Sequence, residues 1–526
     1  MKKYLILFVW WVCCTTFGLA QQNDLPLHTY YKTAFLQQEG KRSIETFFPA
    51  NENQLDLHRL IRDSSKQYYD FTEWLFKKHW LAVERPEGNL SISPLVDFTG
   101  GKALSDPEHK NIFRNTRGIF AEGELLNKIG FQFIFAENQA RFMAYESAYF
   151  NQQGERYVGA GAYAVQNAVI PGGARTKPFK TDAYDYAFSM GSVHYQVNRK
   201  LDIDVGNTPL FVGAGYRSLL LSDNILGFPH LRTRWQISPK WSYQLVFGKQ
   251  QNLFRKPLTQ AVESVYEAKL FGATYLTFQP AAHFSMSLFT AGSQLRGDSL
   301  VKHSLQPQML IPLPFAQNDL LFGNSDLFNG ITGLNVDLGL EHAHLYGQLV
   351  VDRYAQTFLF AGQLGVYFFD ILKVKNLSAQ VEINVVPDHF YEAANPKLSY
   401  SHNNLPLAHP KGNNFNEALM RLNYEYKRLF VQSKTVVQDN SGGSITTQFL
   451  PNSIFSDAVD DSYVHSGRGM TIIQEVELGY RFNRKYNAML LVSWKARHFD
   501  YPGQANTAQQ LTIGLRTGLL NQYLDF

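Results

Sequence analysis

The sequence predicts an all-β fold. It is a closed outer-membrane antiparallel β-barrel of about 18 strands, preceded by a short N-terminal periplasmic helical segment. Three observations carry this expectation. Several segments alternate strictly between apolar and polar residues. The connections between them alternate between short and long. The first residues read as a secretory signal.

The chain begins with Lys2 and Lys3, followed by an apolar run from Tyr4 to Phe17 and the small-residue site Gly18-Leu19-Ala20. That order predicts a signal peptide over 1–20, cleaved near Ala20. A retained signal anchor is the alternative, but its apolar core falls short of the roughly 20 residues that span a bilayer. Both cysteines, Cys13 and Cys14, lie in this run, so the mature chain is expected to hold neither disulfide nor thiolate metal site. Removing the two lysines takes the formal charge from +4 to +2, a balance that gives nucleic acid no reason to bind.

Residues 21–88 are expected to be helical and periplasmic, a plug or docking surface, with a partly ordered leader as the alternative. Leu55, Leu57, Leu60, Ile61, Tyr68, Phe71, Trp74 and Leu75 recur near helical spacing, and Arg85-Pro86 ends the pattern.

From 89 to 526 the chain reads as barrel. No later stretch approaches 18 uncharged apolar residues, which excludes a helical membrane protein. Aromatics make up 14%, which suits strands with one lipid-facing side; a soluble all-β protein is the competing class. Alternation decides between them. Over 377–385, Leu377, Ala379, Val381, Ile383 and Val385 oppose Ser378, Gln380, Glu382 and Asn384. Over 343–351, Ala343, Leu345, Leu349 and Val351 oppose His344, Tyr346 and Gln348. Phe131, Phe133 and Phe135 oppose Gln132 and Asn138. Over 486–497, Tyr486, Ala488, Leu490, Val492 and Trp494 oppose Asn487, Ser493, Lys495 and Arg497, with Met489 and Leu491 blurring the polar side. A sandwich core would not accept such inward charges unpaired.

Short turns are expected at 126–128, 198–200, 239–240, 279–282, 341–344, 373–376, 427–428 and 483–485, with long polar stretches at 139–183, 294–329, 387–415 and 439–468 between them. Eight turns join sixteen strands, and a first strand near 90–98 with the last one gives the total. The last strand places Leu511, Ile513, Leu515 and Leu519 on one face and Thr512, Gly514, Arg516 and Gly518 on the other. It runs to Phe526, an aromatic of the kind that insertion machinery reads.

The stretch Phe211-Val-Gly-Ala-Gly-Tyr-Arg-Ser-Leu-Leu-Leu-Ser-Asp-Asn224, with Pro229 and Leu231, resembles the core signature of the Wzi-type capsule-assembly proteins. Asn115-Thr-Arg-Gly118 with Glu122-Gly123, Phe135-Ala-Glu-Asn-Gln-Ala-Arg141, Pro171-Gly-Gly173, Asp185-Tyr-Ala187 and Asn404-Leu-Pro-Leu-Ala-His409 fit the RemB-type gliding-motility branch of that family. The likeness covers most of 90–526; Asn521 stands where a common insertion signal has glycine. The resemblance implies a lectin-like barrel, blocked inside, that holds capsular or other surface polysaccharide without catalysis. It also implies outer-membrane lipid and components of capsule export or gliding machinery as partners. An outer-membrane channel for small solutes is the alternative function.

Sugar recognition wants planar aromatics and side chains that bond hydroxyls. Loop 387–415 offers Tyr391, Tyr400, His402, Asn403, Asn404 and His409; loop 139–183 offers Arg141, Tyr145, Tyr149, Arg156 and Tyr157. Loop self-packing and an aromatic girdle are the alternatives for each. Arg117, Glu122, Glu137, Arg141, Arg217 and Asp223 are expected to form a polar network in the lumen, because a charge inside a barrel needs a partner. No cofactor is expected. Ser222-Asp223 lacks a Gly-x-Ser-x-Gly elbow. His342 and His344 lack a carboxylate or thiol set, and Asp457, Asp460 and Asp461 lack EF-hand spacing.

Overall fold

The computed structural model describes residues 27–39, 46–50, 79–105, 111–126, 128–159, 162–173, 175–255, 266–296, 328–354, 356–393, 395–440, 469–501 and 504–526. The signal peptide, residues 55–75 with their helical spacing, and Asp457, Asp460 and Asp461 lie outside them.

Eighteen antiparallel strands close the barrel. They are β1 (Gly88–Ala103), β2 (Asn111–Leu125), β3 (Ile129–Arg141), β4 (Ala183–Asn198), β5 (Leu201–Gly206) and β6 (His230–Ser238). The wall continues with β7 (Trp241–Arg255), β8 (Tyr266–Ala281), β9 (Phe284–Leu295), β10 (Phe328–Gly339), β11 (Ala343–Tyr354) and β12 (Thr357–Phe369). It ends with β13 (Leu377–Val386), β14 (Phe415–Tyr426), β15 (Leu429–Asn440), β16 (Gly469–Asn483), β17 (Ala488–Tyr501) and β18 (Gln504–Thr517). Closure pairs β18 with β1, from Gln510 opposite Ala103 to Arg516 opposite Asp97. It leaves no open sheet edge in lipid.

All eight expected short turns fall between the paired strands, at one end of the barrel, the periplasmic end by the usual rule. The alternation is equally visible. Val381, Ile383 and Val385 are exposed while Gln380, Glu382 and Asn384 are buried. Leu345 and Leu349 are exposed while His344, Tyr346 and Gln348 are buried. Met489 and Leu491 point inward and pack on Phe430, which accounts for the blurred polar face of β17.

The last segment departs from expectation. β18 stops at Thr517, and Gly518–Phe526 turns into the lumen. Leu519 is fully buried, whereas Leu511 and Ile513 are exposed on the outer wall. Phe526 ends inside as well, its ring stacked on Tyr149 at 3.9 Å. Pairing explains the break: β17 offers β18 no partner beyond Ala488, so the chain leaves the wall where the ladder ends.

The described part of 21–88 holds one helix, α1 (Thr29–Glu39), and two short strands. α1 sits at the periplasmic mouth, with Tyr31 bonded to Lys485 O and Phe35 and Leu36 packed near Tyr346, Tyr367 and Phe369. Phe47–Phe48 pairs with Phe211–Val212 inside the barrel. Leu81–Arg85 forms a hairpin with the start of β1, strand where helix was the expectation. The Glu84–Asn89 and Arg85–Gly88 pairs hold that hairpin across Pro86.

Candidate functional site in the lumen

The connection between β5 and β6 does not stay outside. Its residues Leu210, Val212, Leu219, Leu220, Leu221 and Ile225 enter the lumen and form the largest apolar core of the molecule. Inward wall residues Val246, Phe271, Tyr275, Ile331 and Val350 complete that core. The backbone of the invading segment is satisfied locally. Ser218 Oγ donates to Val212 O at 2.6 Å and accepts from the Leu220 and Leu221 amides at 3.2 Å. Gly213 takes φ +109°, and a Cβ there would collide with the Gln348 side chain. Only glycine suits that position.

The segment between β13 and β14 closes over this plug. Tyr391 donates its hydroxyl to Leu219 O at 2.6 Å, and Tyr400 donates to Leu220 O at 2.9 Å. Asn404 donates to Gln153 O and Gly154 O and accepts from the Leu253 amide. Asn403 accepts from Gln251 Nε2 at 3.0 Å, and His402 Nδ1 accepts from the Gln251 amide. His409 Nε2 meets Glu417 at 2.9 Å. All six of these candidate sugar contacts are buried in the plug. As placed, they pack loop on loop.

The other candidates scatter. Arg141 pairs with Asp182 at 2.6 Å near the external rim. Tyr145 and Tyr149 sit on or beside α2 (Ala144–Gln152); the Arg497 guanidinium lies 4.7 Å from the Tyr145 ring. Tyr157 and Arg156 belong to the strand Glu155–Gly159, with side chains outside the described residues. The accessible planar group of the β13–β14 segment is one that the sequence reading passed over. His389 is half exposed and stacks on Tyr354 at 4.6 Å with the rings 2° apart, beside Asp388 and Glu392. The hydrogen bond that His389 donates to Glu392 raises its pKa.

Of the expected lumenal network, Arg217 is the hub. It reaches Glu417 through Nε and Nη2, both at 3.3 Å, and Asp525 through Nη1 at 3.0 Å. Asp525 also meets Lys434 at 3.0 Å. Asp223 accepts from Tyr523 at 2.7 Å and Asn521 at 2.9 Å, and burial pushes its carboxyl above the ordinary range. Glu122 faces inward near Ser91 and His79. Arg117 and Glu137 do not join them. They lie opposite each other in register on the outer face, because Glu137 shares its parity with exposed Phe133 and Phe135, and Arg117 with Ile119. That parity was readable from the strand.

The sequence reading missed the tail. Asn521, Tyr523 and Asp525 tie Gly518–Phe526 to Thr29, Asp223 and Arg217, and Lys495 reaches Leu524 O while pairing with Glu146 at 2.8 Å. Between this tail and the wall of β1, β2 and β14–β18 runs a polar cavity of about 270 Å³, lined by Asp97, Arg114, Arg421, Glu475, Glu477 and Arg516 among others. Among the described residues no group of three or more His, Cys, Asp or Glu is placed to hold a metal. Ser222 is buried with its Oγ accepting from the Asn224 amide.

No protein-family model and no curated relative matches the chain. Among solved structures it is similar to Wzi, an outer-membrane protein involved in group 1 capsule assembly in Escherichia coli and described as a carbohydrate-binding β-barrel. The TM-score is 0.51 at 13% identity, over 95% of this chain and 99% of that one. OccK7 of Pseudomonas aeruginosa matches at a TM-score of 0.43 and 9% identity over 82% of this chain and 99% of that one. OprD of the same organism matches at 0.42 and 8% over 81% and 94%. The fold is therefore that of an outer-membrane β-barrel, and the Wzi likeness extends over nearly all of it.

Proposed function

We propose that this chain is a non-enzymatic outer-membrane anchor for surface polysaccharide, acting in capsule retention or gliding motility. The observation that carries the reading is the occupied lumen. Two inward segments, α1 and the tail fill the space through which a wide channel would conduct. A barrel closed in this way works through its external surface. The full-length likeness to a carbohydrate-binding barrel supports the same role. The motility branch rests on the resemblance of the motifs around Arg117, Glu137 and Asn404, and components of export or gliding machinery belong with it as partners.

Within this reading the external contact falls to accessible groups, with the Tyr354–His389 stack and Asp388 as a platform for a sugar face and its hydroxyls. The buried residues Tyr391, Tyr400, His402, Asn403, Asn404 and His409 hold the plug that shapes that surface. The test is binding of purified protein to the polysaccharide released by its own cells. Tyr354→Ala should lower affinity severalfold with the fold intact, and Tyr400→Phe should leave affinity unchanged. Equal binding by both variants contradicts the platform. The cavity beside the tail favours a second reading, a narrow conduit. Small but stable single-channel conductance of the wild-type protein in planar bilayers would establish it in place of the anchor.

A further inference from the structure

The short turns share a charge that the anchor reading does not use. Six of the eight carry lysine or arginine, and Arg199, Lys200, Lys240, Lys373, Lys375 and Lys427 are exposed there. The acids in those turns are few. Asp370 is already engaged by the Asn376 amide at 2.7 Å, and Glu341 stands in a turn that holds no lysine or arginine. The external end mixes its signs instead, as in the Arg141–Asp182 pair and the His389, Asp388 and Glu392 group.

Directly above the basic turns the outer wall is aromatic. Trp241 stacks on Phe278 at 4.5 Å, and Trp235, Tyr426 and Tyr480 are exposed at the same end. Leu372, 88% exposed, projects from the turn that also carries Lys373 and Lys375. Aromatic rings at headgroup level with cations just beyond them match the cross-section of a phospholipid interface. Lysine stems run along apolar surface while their ammonium groups reach the phosphates.

We propose that the periplasmic rim binds the phosphates of anionic phospholipid headgroups in the inner leaflet, as an annulus that fixes the depth of the barrel. Distribution selects lipid over an acidic protein or polymer. Closure between β18 and β1 makes the six basic turns neighbours on the ring, but their exposed cations form two groups, after β4 and β6 and after β12 and β14, separated on one side by the turns after β8 and β10, which lack lysine and arginine, and on the other by the half-buried cations after β16 and β2. A docked partner needs one arc; a leaflet meets both groups.

The experiment uses full-length protein reconstituted in vesicles of phosphatidylethanolamine and phosphatidylglycerol. Retained lipids are counted by native mass spectrometry after extraction. The wild-type protein should hold phosphatidylglycerol at ~twofold or more above the bulk ratio, and high salt should weaken the preference. R199Q/K200Q/K240Q and K373Q/K375Q/K427Q should each lose about half of the enrichment, and the six-site variant should fall to the bulk ratio. Heat-modifiable gel mobility confirms that each variant is folded. The external variant K177Q/K180Q should retain the preference. A bulk ratio in the wild type overturns the proposal, as does enrichment unchanged in the six-site variant. Complete loss in one three-site variant alone means a single arc, and displacement by inorganic phosphate means a free phosphate site; either result also overturns it.

Discussion

On the side of the lumen bounded by β7–β13, the plug is held by apolar contact. Leu219, Leu220 and Leu221 pack on Phe271, Tyr275 and Val350, and the hydroxyls of Tyr391 and Tyr400 cap their carbonyls. On the side bounded by β14–β18 and β1–β2, the tail adds buried ion pairs to the apolar contacts of Leu519, Tyr523 and Leu524. Asp525 bridges Arg217 and Lys434, Lys495 meets Glu146, and Arg516 reaches Asp97 and Glu477 on the wall of the polar cavity. One barrel thus closes its lumen in two ways. The apolar side gains from water released. The ionic side depends on every charge keeping its partner. Arg217 belongs to both, since it lies in the inward β5–β6 segment, where its backbone carbonyl accepts from Gln363 of β12, while its guanidinium clamps the tail.

Removing that shared residue should have the largest effect. Arg217→Ala leaves Glu417 and Asp525 buried with fewer partners and is expected to cost about 3–5 kcal/mol. A denaturant series followed by heat-modifiable mobility measures it; a cost below ~1 kcal/mol would show that the two sides are not joined there. Leu220→Ala comes next, at about 2–5 kcal/mol from lost burial and a cavity in the plug. It should raise hydrogen exchange over 211–221 and leave the tail protected. Asp525→Asn should do the reverse at about 1–3 kcal/mol, freeing 518–526 while 211–221 stays protected. Equal exchange in both regions for either variant would dissolve the distinction.

Acid should separate the two sides as well. Burial, with the Lys269 charge, pulls the His402 pKa down to about 3 from its ordinary 6.5. The folded chain therefore binds its proton later than the unfolded chain does. The stability that His402 contributes is complete above about 6.5 and is lost as pH falls toward 3. Burial opposes ionisation of Asp525, but Arg217 and Lys434 outweigh it and hold the carboxyl below the usual range. Its contribution is present above about 3.9 and is lost only at lower pH. Between about pH 6 and 4 the plug should loosen before the tail, read as hydrogen exchange corrected for intrinsic rate. A tail that opens first contradicts this. The smallest effect sits at the external rim. His389, raised by Glu392, keeps its contribution below its ordinary pKa of 6.5 and loses it as pH rises through the higher folded value. Glu392→Gln should move its NMR titration midpoint back down.

The wall was legible because its physics is local. A residue's face follows from its parity, so 377–385 and 343–351 could be assigned one residue at a time, and the turns fell where alternation broke. Applied consistently, the same rule would have put Arg117 and Glu137 outside. The plug was not legible in this way. Tyr391, Tyr400 and Asn404 have the composition of an exposed binding loop, and their burial depends on carbonyls at Leu219 and Leu220 that lie far away in sequence. The tail misled for a related reason. Leu519 continues the apolar face of β18 and Phe526 ends the segment on an aromatic, yet Arg217 and Tyr149 draw that stretch inward.

The central claim is that a barrel with its lumen filled serves as an anchor for surface polysaccharide. The direct measurement compares cell-associated with released polysaccharide in cultures with and without the gene. The account predicts a shift into the medium on deletion, with total synthesis unchanged, and restoration by the wild-type chain. An unchanged ratio would contradict it.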